Sequence, residues 1–169
     1  MDIVTKYNGI SKFYFNKIII QIIKLIDKNS SVILDYGCGV KQLAKKLSKE
    51  KVTVLNYDIN PIYNEVSCVE TLRFDTVVLN HVLMYMTPME IDISFKKLRK
   101  NNAECDIIIG MSRENLLNKL LASICLRSDI HKKIITHYID QKKIIYHNFE
   151  VKKKISVYGL TDIYFCRFK

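Results

Sequence analysis

The chain has 169 residues, 49% apolar and 26% charged, which fits one globular domain with a real core and excludes disordered or collagen-like chains. Lys+Arg is 27 against 17 Asp+Glu, a net charge of +10. That balance favours acidic partners such as nucleic acid, but the excess is lysine, which more often solvates helix faces than reads phosphates.

Residues 11–27 carry Phe15, Ile19, Ile22 and Ile26 at helical spacing. Gln21 and Lys24 interrupt the apolar run, so it predicts a water-facing helix and no membrane span. Ser31–Leu34 reads as a buried parallel strand ending at Asp35. Gly37 and Gly39 make a turn into a helix over 41–49. A second strand over 52–57 ends at Asp58. The segment 59–73 is poorly patterned, with a one-turn helix and a short strand near Val66–Val69. Strands follow at 75–79 and 106–110, flanking a helix that starts at Pro88 and runs to Arg99. A helix over 112–126, a polar connection over 128–140 and a helix over 141–149 lead to two final strands, 155–158 and 163–168.

Strands alternating with helices predict a mostly parallel sheet covered on both faces. The last two strands have no helix between them, so one of them must run antiparallel. The whole chain, 1–169, reads as one domain, with residues 1–28 an N-terminal helical segment and 29–169 the core. Five widely spaced cysteines and the absence of a secretory pattern point to the cytoplasm.

The chemistry concentrates at Val32–Val40. A buried strand running through two glycines into a helix start is how nucleotide-type cofactors are held at strand ends. Asp35 at that strand end would repel a pyrophosphate and suits the cationic part of S-adenosylmethionine. Asp58, 19 positions after Gly39, can accept hydrogen bonds from ribose hydroxyls.

VILDYGCG, then VLNYDINP and FDTVVLNHVLMYM, resembles the class I S-adenosylmethionine-dependent methyltransferases over about residues 11–168. The resemblance implies a Rossmann-like three-layer α/β sandwich, with a seven-stranded, mostly parallel sheet and one antiparallel strand near the C-terminus. It implies cofactor contacts from Asp35, Gly37, Cys38, Gly39 and Asp58, packing of Ile59 on adenine, and contacts from Asn80. Glu70 is the candidate for the adenine-contacting acid. His81, just past the fourth strand of the family, is the candidate for proton removal near neutral pH. The sequence departs from the family pattern at Lys41, where the third motif glycine falls, and in the short segment between Asp58 and Asp75.

Plainer readings stand beside these. Cys38 reads as a small packing residue, and Asp58 could cap a local helix. His81 could be a hydrogen-bonded loop histidine. His131, His137 and His147 lack helix-face metal spacing, and no metal is expected. His137 and Tyr138 could line a substrate pocket, and Tyr7 and Tyr14 could lid the cofactor. The motif marks of cytosine-C5 and exocyclic base-amine methylation are absent. With little chain left for substrate recognition, a small-molecule acceptor is expected; an RNA substrate, or a non-catalytic binding module, is the alternative.

Overall fold

The computed structural model describes residues 9–115 and 134–169. Chain order is α1 (Gly9–Ile23), β1 (Val32–Tyr36), α2 (Gln42–Leu47), β2 (Thr53–Tyr57), β3 (Thr76–Asn80), α3 (Pro88–Arg99), β4 (Asp106–Ser112), α4 (Tyr138–Asn148), β5 (Phe149–Val157) and β6 (Thr161–Phe168). Single 3-10 turns lie at Val69–Thr71 and Leu83–Tyr85. Among the described residues, no helix is long and apolar enough to cross a membrane.

The strands form one sheet in the order β2-β1-β3-β4-β6-β5. β1, β2, β3 and β4 are mutually parallel, and β6 is antiparallel to both its neighbours. The sheet therefore has six strands among the described residues, not the expected seven. The missing strand is the one expected near Val66–Val69. There Asn64 Oδ1 accepts the Val66 N–H and Val69 enters the 3-10 turn, while just upstream Asn60 Oδ1 accepts the Ile62 N–H. Such Asx bonds compete with ladder formation, and β2 is left as the sheet edge.

Strand side chains alternate between two cores. Val77, Leu79, Ile107 and Ile109 pack with Phe95 and Leu98 of α3 and Ile145 of α4. Ile33, Val78 and Ile108 pack with Ile18 and Ile22 of α1 and Leu43 and Leu47 of α2. The result is the expected three-layer α/β sandwich.

Other boundaries move for local reasons. α3 starts at Pro88 behind a capping box, in which Thr87 Oγ1 accepts the Glu90 N–H and the Glu90 carboxylate accepts the Thr87 N–H. β4 runs on to Ser112, so the expected helix over 112–126 does not begin there; its residues from 116 onward lie outside those described. β5 begins at Phe149, six residues before the expected strand, with Lys152–Lys154 inside it. Charged residues are common on an edge strand, where they discourage further pairing. Tyr158 (φ 53°) and Gly159 (φ 68°) form the hairpin turn, which frees Thr161 for β6.

Candidate cofactor site

The chain leaves β1 for β2 on one side and returns to β3 on the other. At such a reversal, open parallel sheets usually hold a ligand in a crevice at the carboxyl ends of the strands. Register places Asp35 level with Asn56 of β2 and Val78 of β3, and Asn80 level with Gly110 of β4. Antiparallel pairing brings Thr161 of β6 to Ser112, at the same end.

The turn after β1 is stitched to β2. The Gly37 and Cys38 N–H groups both donate to the Tyr57 carbonyl, at 2.7 and 3.1 Å. Gly37 sits at φ 80°, and a Cβ there would overlap the Val82 side chain. Glycine is required at that position on both counts. Gly39 (φ 49°) donates its N–H to Asp58 Oδ2 at 2.8 Å, and Asn60 donates its N–H to Asp58 Oδ1 at 2.9 Å. Asp58 thus braces both turns. Each carboxylate oxygen keeps a second acceptor direction for a ligand hydroxyl.

Asp35 is 5% exposed and has no cation paired with it among the described residues. Burial, then the charge of Asp58, pushes its pKa up to about 7. A bound cation would offset both effects. Cys38 points its thiol at the Tyr63 carbonyl, 3.5 Å away. Burial and the two nearby carboxylates push that thiol up to about 12, so it is a packing group and not a nucleophile. Ile59 is 93% exposed beyond Asp58, an apolar side chain at the rim with nothing packed over it.

Lys41 adopts the left-handed conformation, φ 58° and ψ 44°, that a third glycine would favour. Its ammonium pairs with Glu65 Oε1 at 2.5 Å, and Glu65 Oε2 accepts from Asn56 Nδ2 at 2.5 Å. Glu65 and Asn56 were not singled out in the sequence, because the contact depends on the loop that replaces the missing strand. Glu70 is on the Val69–Thr71 turn, where Lys97 of α3 engages its carboxylate at 2.9 Å. The structure brings it to α3 and not to the Asp35–Asp58 pair.

At the end of β3, Asn80 Oδ1 is buried with no hydrogen-bond partner and lies against Gly110. An orphaned buried acceptor beside a crevice is a group that a ligand donor can satisfy. His81 has φ 59°, its N–H donates to the Gly110 carbonyl, and its Nε2 lies 3.1 Å from Thr161 Oγ1. Burial pushes its pKa down to about 4, so it is a weak base and does not titrate near neutral pH as expected from the sequence.

A second polar group lies across the same end of the sheet. Asp162 is fully buried, accepts from the Tyr138 hydroxyl at 2.5 Å, and pairs with Arg113 and Lys154 at 2.7 and 2.9 Å. His137 pairs with Glu114 at 2.8 Å. Asp162 and Thr161 escaped the sequence reading because both fall where the hairpin turn was expected to end. Tyr7 and His131 lie outside the described residues.

No protein-family model matches the sequence, and a search of curated proteins finds no match. Solved structures do match. A protein from Pyrococcus horikoshii OT3 superposes with a TM-score of 0.74 at 14% identity, covering 100% of this chain and 96% of that one. Magnesium protoporphyrin IX methyltransferase from Synechocystis PCC 6803, with bound SAH (S-adenosyl-L-homocysteine), gives 0.67 at 15% identity, covering 98% and 90%. The N-methyltransferase NodS from Bradyrhizobium japonicum WM9, also in complex with SAH, gives 0.65 at 14% identity, covering 92% and 87%. The chain has the fold of the class I S-adenosylmethionine-dependent methyltransferases.

Proposed function

We propose that the crevice binds S-adenosylmethionine and that the chain transfers its methyl group to a small-molecule acceptor. The observation that carries this reading is the buried Asp35, without a cation, beside Asp58 around a two-glycine turn. Asp35 would face the cationic methionine end, and Asp58 the ribose hydroxyls. Ile59 would cover adenine, and Asn80 Oδ1 would accept a ligand hydrogen bond. The cofactor supplies an activated methyl on a sulfonium, so these residues bind, orient and exclude water. The two neighbours described with bound SAH are a porphyrin methyltransferase and an N-methyltransferase, which supports a small acceptor.

Lys41 favours a second reading, a binding domain of this fold without turnover. It occupies the third motif position in a strained conformation with its ammonium committed to Glu65. Thermal unfolding tests the cofactor claim for both readings. S-adenosylmethionine and SAH should each stabilise the chain, by about 2.7 kcal/mol at 100 times the dissociation constant. NAD should not. Absence of a shift with both sulfur compounds rejects the site. Turnover with an acceptor panel then separates enzyme from binding domain.

A further inference from the structure

Thr161 joins two side chains from distant parts of the chain. It is fully buried at the start of β6. Its Oγ1 lies 2.5 Å from the Tyr14 hydroxyl of α1 and 3.1 Å from His81 Nε2. Phe15 packs edge-on against the imidazole, with ring centroids 5.7 Å apart. The His81 N–H to Gly110 bond fixes the backbone beneath it. His81 Nδ1 makes no hydrogen bond among the described residues.

A threonine hydroxyl has one proton and two acceptor positions. Thr161 Oγ1 is buried and has only these two partners among the described residues, so its proton is left unpaired unless it donates to one of them and accepts from the other. If Thr161 donates to Nε2, Tyr14 donates to Thr161 and His81 carries its proton on Nδ1. If Thr161 donates to Tyr14, His81 carries its proton on Nε2. A phenol is a more acidic donor than an aliphatic alcohol, and an imidazole nitrogen is a better acceptor than a phenolic oxygen. Both preferences select the first arrangement.

We propose that Tyr14 and Thr161 hold His81 as the neutral Nδ1–H tautomer, so that it meets the methyl acceptor as a hydrogen-bond donor and not as a base. The role toward an acceptor rests on the methyl-transfer reading; the tautomer does not. Burial of the ring disfavours its cation and so favours a neutral ring of either tautomer. Tyr14 and Thr161 are positioning residues. In the transfer itself, the acceptor lone pair bonds the methyl carbon while the carbon–sulfur electron pair returns to sulfur. No proton passes to the protein. Such a site suits an acceptor whose reacting atom needs no deprotonation: a thiolate, a carboxylate or a neutral amine, whose surplus proton leaves to water afterwards.

Long-range proton–nitrogen NMR of the uniformly nitrogen-15-labelled chain at neutral pH reads the tautomer directly. The signal is assigned by its loss in His81→Gln. The wild-type ring should show a protonated Nδ1 and a bare Nε2. Thr161→Val should move it toward Nε2–H, the form that neutral histidine favours in water, and Tyr14→Phe should move it part of the way. A wild-type ring with the proton on Nε2, or a cationic ring, overturns the proposal. So does a Tyr14→Phe ring unchanged from wild type, a variant that keeps the aromatic packing. The measurement needs no cofactor, so failure to bind S-adenosylmethionine and failure of the tautomer are separate results.

Discussion

Asp35 and Asp58 close the ends of adjacent parallel strands, and the charge of Asp58 adds to burial in holding Asp35 partly protonated near pH 7. The Asp35 pKa is raised above its unfolded value, so between about pH 4 and pH 7 the native state binds the extra proton. Stability from this group is present at low pH and is lost as pH rises through about 7. Asp35→Asn should flatten that slope and leave the chain more stable than wild type at pH 8, by about 2–4 kcal/mol. Urea unfolding at pH 5 and pH 8 checks this. Parallel behaviour of the two proteins would contradict it. The same substitution should weaken binding of S-adenosylmethionine.

Gly37 should tolerate no side chain. Alanine there meets Val82 and must hold φ near 80°. Gly37→Ala should cost about 2–4 kcal/mol in urea unfolding. Gly159, at φ 68° with open space around it, is the control: alanine there should cost only the backbone strain, about 1–2 kcal/mol.

Lys41→Gly relieves a left-handed lysine but adds unfolded-state entropy and removes the Glu65 pair. The net stability change should stay within about 1 kcal/mol. If the lysine narrows the methionine side of the crevice, SAH affinity should rise, read by titration calorimetry. A fall in affinity would show that the ammonium helps to hold the ligand.

Asp162→Ala removes the buried carboxylate shared by Arg113, Lys154 and the Tyr138 hydroxyl. Burial alone would raise the Asp162 pKa, but these three partners together hold it below the ordinary carboxylate value. Its contribution is therefore present at neutral pH and lost as pH falls through that lowered value. The substitution should cost about 3 kcal/mol at pH 7 and less at low pH. Equal destabilisation at both pH values would contradict the pairing.

β1, β3 and β4 are legible in the sequence because parallel strands buried on both faces are short apolar runs with no competing helical period. The hairpin β5–β6 is legible in outline but not in extent, because Lys152–Lys154 on an edge strand look like a loop. The absent third strand is not legible. Val66 and Val69 supply β propensity, and the outcome depends on Asn60 and Asn64 side chains bonding their own backbone. The Asp35–Gly39–Asp58 cluster is legible because spacing alone brings the ends of β1 and β2 together. Glu65, Thr161 and Asp162 are not, since their roles depend on contacts across 24, 80 and 49 positions of chain.

Titration calorimetry of SAH into the wild type and Asp58→Asn tests the cofactor site most directly. Asparagine keeps one acceptor oxygen but sets an amide NH₂ against the Gly39 or Asn60 N–H, and takes away a ribose acceptor. Saturable binding to the wild type, weakened at least about tenfold (about 1.4 kcal/mol) in a folded Asp58→Asn, is the expected result. Absence of binding to the wild type, or equal affinity for both proteins, would contradict it.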